Sequence, residues 1–195
     1  MHGMINRSLE CFLRDTYGSS KWLEIAATAQ LGFESFEALL NYEPECTQNV
    51  LTAASQILGS HPDMILEDLG SFLVSHPMMH APRRLLRFGG DTLVEFLFSL
   101  DELRDRVRLA VPDLSFPLLE LFDHSTKAYT LLVTHPQPGF GHVLVGILRA
   151  MADDYGALAF LEHKGRRDGV ETISIELIEV DYTQGREFAL AVNAV

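Results

Sequence analysis

Asp91–Leu109 reads DTLVEFLFSLDELRDRVRL, and the chain changes character on either side of it. Asp91 is a predicted N-cap for one long helix running to about Leu109. Leu93, Phe96, Leu97, Leu100, Leu103 and Val107 recur at helical spacing and make one apolar stripe. At roughly 100° per residue, Arg104 falls inside that stripe, beside Leu97 and Leu100. A guanidinium aimed at a core must be paired, solvated or drawn out along its aliphatic stem. Either Arg104 projects into a cavity and meets an anionic ligand group or internal carboxylate, or it uses the favourable dipole at the helix end and reaches water.

Upstream, the pattern stays helical. Ile5, Leu9, Phe12 and Leu13 share one face, and Tyr17-Gly18 closes it. Ser20 caps a second predicted helix through Trp22, Ile25 and Ala26. Phe36–Leu40, Gln48–Leu58 and Pro62 to about Val74 predict three more, with a break at Gly59-Ser60-His61-Pro62. His76–Pro82 reads as a loop by its prolines, and Arg83–Phe88 as a short helix ended by Gly89-Gly90.

Downstream, the period changes. Phe116–Phe122 and Lys127–Thr134 read as a hairpin around Asp123–Thr126, Pro138–Tyr155 as an apolar-striped helix, and Val170–Val180 and Phe188–Val192 as strands. The fold class is α+β: a helical N-terminal half, then an antiparallel sheet of about four strands crossed by a helix. The expected organisation is one domain over 1–195, with a helical subdomain over 1–60 and a larger α/β subdomain over 61–195.

Composition narrows the function. The 195 residues are 47% hydrophobic with 12 Phe, enough for a large core. A net charge of −12 argues against nucleic-acid phosphates and anionic membranes as partners. Cys11 and Cys46 make neither a disulfide framework nor a zinc site, and Cys11 reads as a small buried hydrophobe. The expected setting is a reducing cytoplasm, with no signal peptide or membrane span. No nucleophile–base pair or phosphate loop stands out, so an enzyme is not expected.

The element order and several stretches resemble the haem-nitric oxide/oxygen binding (H-NOX, HNOB) family, which includes the haem domain of soluble guanylate cyclase and bacterial gas sensors. The matching stretches are Met1–Asn6 with Leu9-Glu10, Tyr17-Gly18 with Trp22, Leu85-Leu86-Arg87, Glu95-Phe96-Leu97, Leu100–Leu103, Pro138-Gly139-Phe140 and Val145–Arg149. The resemblance implies haem as cofactor, Ile5 and Leu100 on the pocket wall, nitric oxide sensing, and a signalling partner in trans, either a histidine kinase or a cyclic-dinucleotide enzyme.

Two family features are replaced. Arg104 stands where the family's iron-ligating histidine closes its Leu-Asp-x-Leu-His pattern. Val133, His135 and Gln137 stand where a Tyr-x-Ser-x-Arg motif holds the haem propionates. Iron needs a lone-pair donor, and a guanidinium has none. Gln137 carries no charge for a propionate, and Val133 nothing polar. His135 is the best substitute ligand, although the same residue also reads as a solvent-facing loop histidine. No metal site is otherwise expected: His76 and His80 fall in a proline-bound loop, and His142 reads as solvent-facing. Arg83, Arg84 and Arg87 read as a solvated basic helix face. Three functions remain: a sensor with a degenerate haem site that takes another ligand or none, a haem sensor with an unconventional ligand, and a cofactor-free protein-interaction module.

Overall fold

The computed structural model describes residues 1–77, 79–180, 182, 183 and 185. Eight α-helices and four strands lie among them: α1 Gly3–Tyr17, α2 Ser19–Thr28, α3 Pro44–Leu58, α4 Pro62–Ser75, α5 His80–Arg87, α6 Leu93–Phe98, α7 Leu103–Ala110, β1 Leu118–Asp123, β2 Ala128–Thr134, α8 Phe140–Tyr155, β3 Leu158–Arg167 and β4 Val170–Glu179. The strands form one antiparallel sheet in the order β1-β2-β4-β3, with Leu119 opposite Val133 and Leu131 opposite Ile173. The α+β class is as expected.

Two hydrophobic cores share the chain. The first joins α1, α2, α3 and the start of α4 around Trp22, Leu13, Ile25 and Ile65, all fully buried. The second lies between the sheet's inner face, α8 and the α5–α7 layer. The α8 stripe of Leu144, Ile147, Leu148 and Met151 is buried in it as its periodicity predicts. Helices α4 and α8 connect the cores at a close crossing. Gly70 and Gly146 face each other's backbones there, and Ser71 Oγ donates to the Gly146 carbonyl at 3.2 Å. A Cβ on Gly146 would collide with the Glu67 carbonyl, and one on Gly70 with the Val143 carbonyl.

Several elements differ from the sequence expectation. The segment expected as a helix at Phe36–Leu40 is a loop. Its backbone is recruited elsewhere: Phe36 N–H donates to the fully buried Glu10 carboxylate at 2.8 Å, and the Trp22 indole N–H donates to the Glu34 carbonyl at 2.7 Å. Arg7 and Arg14 pair with that carboxylate at 2.6 and 3.1 Å. Helix α3 starts at Pro44, before Gln48, because proline suits a first helical position. Helix α5 likewise starts at His80, since Pro82 falls in the first turn, where no N–H is needed.

Strand β3 is also not anticipated by the sequence pattern. It is hairpinned to β4 through Asp168 and Gly169, both left-handed at φ 52° and 85°. That two-residue turn matches the twist of the strands it joins. The expected strand Phe188–Val192 lies outside the described residues.

The long helix over 91–109 is three pieces. Thr92, rather than Asp91, caps α6: its hydroxyl accepts from Glu95 N–H, and the Glu95 carboxylate accepts from Thr92 N–H in return. Ser99–Glu102 then forms a 3-10 turn before α7 begins. At three residues per turn instead of 3.6, those four residues advance the phase by roughly 80°.

Candidate functional site

That extra rotation decides where Arg104 points. Leu103 and Val107 stay in the core, and Arg104 turns out of the stripe to an exposed position, correcting its placement beside Leu97 and Leu100. It lines an open cleft of about 330 Å³ with Arg108, Pro112, Asp113, Leu114, Ser115 and Phe116. The 3-10 turn is pinned from both sides. Asp101 accepts Leu121 N–H from β1 at 2.8 Å, and Arg106 donates to the Ser99 carbonyl at 2.6 Å and to its hydroxyl at 3.0 Å.

The interior next to this turn is filled. Phe96, Leu97 and Leu100 are fully buried, as are Leu131 and Val133 on β2 and Met151 on α8. Leu100 is therefore a core residue. Val133 pairs with Leu119 on one side and Glu171 on the other. Ile5 sits half-buried in the first turn of α1 and is not among the members of either core.

His135 follows β2 and is 7% exposed, so it is not a solvent-facing loop residue. Its ring packs on Phe140 with centroids 4.3 Å apart. Its Nδ1 accepts Gln137 N–H at 3.1 Å, which leaves Nε2 to carry the proton and donate to Ser115 Oγ at 3.2 Å. Burial pulls its pKa below the usual histidine range, and nearby Arg104 pulls the same way; the hydrogen bonds and Glu171 oppose them without winning. Both ring nitrogens are thus engaged in local contacts. Gln137 is half-buried and contributes its backbone to this knot.

A depressed pKa makes the folded state reluctant to take a proton that the unfolded chain accepts near its ordinary value of about 6.5. Stability is full above that value and falls as pH drops through it toward the folded pKa. Urea unfolding of the wild type between about pH 7.5 and pH 5.5 should lose more stability than that of His135→Gln. Equal losses would show that His135 is not the proton-linked group.

Other expected site residues are placed differently from their sequence reading. Arg83 pairs with the buried Asp154 at 2.9 Å, and Arg87 lies 4.1 Å over the Tyr155 ring. These arginines fasten α5 to α8 instead of forming a solvated face. His142 is not solvent-facing: it stacks on His163 at 3.9 Å and faces carboxylates on α4. Cys11 is half-buried. Neither His163 nor Glu171 stands out in the sequence, although Glu171 is the buried end of the alternating β4 pattern.

A haem held in the family manner does not fit these residues. The α7 side chain at the ligating position is an outward arginine, His135 has no free lone pair, and the volume beside the 3-10 turn is occupied by side chains.

The architecture is a helical layer and an antiparallel sheet closed over one core, with a second helical core attached. The Haem-NO-binding (HNOB) family model matches residues 2–162, and the chain belongs to that family of haem- and gas-sensing domains. It is 22% identical over 154 residues to soluble guanylate cyclase gcy-31 of Caenorhabditis elegans, covering 79% of this chain and 22% of that protein. It is 20% identical over 158 residues to soluble guanylate cyclase 89Db of Drosophila melanogaster, covering 81% and 24%. The chain thus spans under a quarter of the length of these curated relatives. Among solved structures, an Fe(II) unliganded H-NOX mutant from K. algicida superposes with a TM-score of 0.77 at 19% identity, over 94% of this chain and all of that one. A T. Tengcongensis H-NOX mutant gives 0.75 at 18% identity, over 92% and 99%. At these identities the structural likeness speaks for the fold. No helix among the described residues is long and apolar enough to cross a membrane.

Proposed function

We propose that this chain is a signalling domain of the H-NOX family with a degenerate haem site, working as a cofactor-free interaction module. The observation that carries this reading is the joint placement of Arg104 and its neighbours. The ligating position faces solvent, and Phe96, Leu97, Leu100, Val133 and Met151 fill the interior beside it. Signalling then runs through surface contacts with a partner protein, and a non-catalytic role follows from that. The family resemblance suggests a histidine kinase or a cyclic-dinucleotide enzyme acting in trans. The charge of −12 favours a partner with a basic face over nucleic acid or anionic membrane, in a cytoplasmic setting.

Haem reconstitution tests it. Wild type and Arg104→His are both expected to lack a stoichiometric Soret band, because the introduced imidazole would sit at an exposed position about 80° out of phase with the core. A strong one-to-one Soret band in the wild type would overturn the reading and support an unconventional axial ligand. A band only in Arg104→His would show that the interior opens when a ligand is supplied, and would also overturn it.

A further inference from the structure

At the end of the sheet where α8 begins, the inner-face alternation stops being apolar. On β3 the inward positions run Ala159, Leu161, His163, and on β4 they run Leu177, Ile175, Ile173, Glu171. The last inward residue of each strand is therefore a metal-ligand type. A register shift between His163 and Arg166, with Gly165 at φ 98°, bends β3 just past His163. Bulges of this kind re-aim the side chain beside them.

His163 Nε2 lies 3.0 Å from Glu171 Oε2, and the His142 ring of α8 stacks on His163 at 3.9 Å. One donor atom from each of the three falls within 4.8 Å of the others. Glu171 is 3% exposed and its only ion-pair partner among the described residues is His163; its other contacts are Gly139 and Gly141 N–H at 3.0 and 3.2 Å. A buried carboxylate with no lysine or arginine partner among the described residues can accept a cation. Space is reserved too: a Cβ on Gly141 would come within 2.7 Å of both Glu171 Oε2 and His163 Nε2. Outer carboxylates are in place. Glu67 lies 3.4 Å from His142 Nδ1 and Asp63 lies 3.6 Å from Nε2, so whichever nitrogen turns to an ion, the other keeps an acidic partner. Such partners orient metal-bound imidazoles and raise their basicity.

We propose that His142, His163 and Glu171 bind a divalent cation of the zinc class, with water at the remaining position. Two imidazoles and one carboxylate suit zinc or cobalt far better than magnesium or calcium. The ion ties β3 and β4 to α8 and, through Glu67 and Asp63, to α4, so it clamps the crossing between the two cores. This site is independent of the haem reading above.

The test uses untagged, chelator-treated full chain titrated with zinc, and with cobalt as a visible probe. Wild type should bind one equivalent saturably, give four-coordinate cobalt absorption without a thiolate charge-transfer band, and melt at higher temperature with zinc. His142→Gln, at the rim and least burdensome for folding, should bind roughly 100-fold more weakly and lose the zinc-dependent rise in Tm. Glu171→Gln should do the same, and His124→Gln on the distant β1–β2 turn should behave as wild type. The proposal is overturned by absence of saturable one-to-one binding, by a thiolate band, which would place the ion on Cys11 or Cys46, or by unchanged affinity in folded His142→Gln.

Discussion

Gly146→Ala is expected to lower the stability of the fold by about 3 kcal/mol or more, at the upper end of overpacking penalties. Most overpacked sites relax by moving a side chain, but this one cannot. The added methyl would occupy the position of the Glu67 carbonyl and press on Ser71 N, both main-chain atoms of α4. Relief requires separating α4 from α8 along their contact, which would also strain the Ser71–Gly146 hydrogen bond and unpack Val143, a residue that packs against both cores. Chemical denaturation monitored by circular dichroism measures the loss. Gly59→Ala is a suitable comparison, because nothing lies near its Cβ position and its cost is only the left-handed backbone at φ 67°. A Gly146→Ala loss no greater than that of Gly59→Ala would mean the helices do not approach this closely.

Phe96→Ala is expected to cost about 3–5 kcal/mol, the usual range for deleting a buried aromatic ring. Phe96 has 0% exposure and lies 6.0 Å from the Tyr155 ring, next to the 3-10 turn. The deletion leaves an apolar void in the interior that the proposed function holds to be filled. Such voids stay dry and accept small apolar molecules. Benzene should therefore raise the Tm of Phe96→Ala and leave the wild type unchanged. A loss below about 1 kcal/mol, or a benzene response in the wild type, would show that the native interior already contains room for a ligand.

Much of this architecture is legible in the residues themselves. The α8 stripe, the Gly18 and Gly59 helix ends and the β1–β2 hairpin follow from period and turn chemistry alone. Strand β3 does not, because its second half, Glu162–Arg167, is charged where a half-buried strand would alternate. It lies at an edge of the described sheet, where charge discourages further pairing. The Asp168-Gly169 pair was the available signal for it. The outward turn of Arg104 is harder to read. It depends on a local overwinding fixed by Asp101, which pairs with β1, and by Arg106, which bridges Ser99 and α5. A helical wheel assumes uniform pitch and so carries no trace of those contacts. His163 and Glu171 are far apart in the pattern from His142, and only the sheet register and the start of α8 bring them together.

The division into two cores has a consequence for synthesis. The buried members of the helical core run from Leu9 to Leu69, and those of the other from Val74 to Leu177. On the ribosome, the first core's buried side chains have been polymerised before any strand of the sheet exists, and their contacts are short in sequence, which favours early, rapid collapse. Its outer flank still lacks Val143, which arrives with α8. The nascent helical unit is therefore complete in its interior yet open along α4 until translation delivers the glycine-bearing helix that seals it.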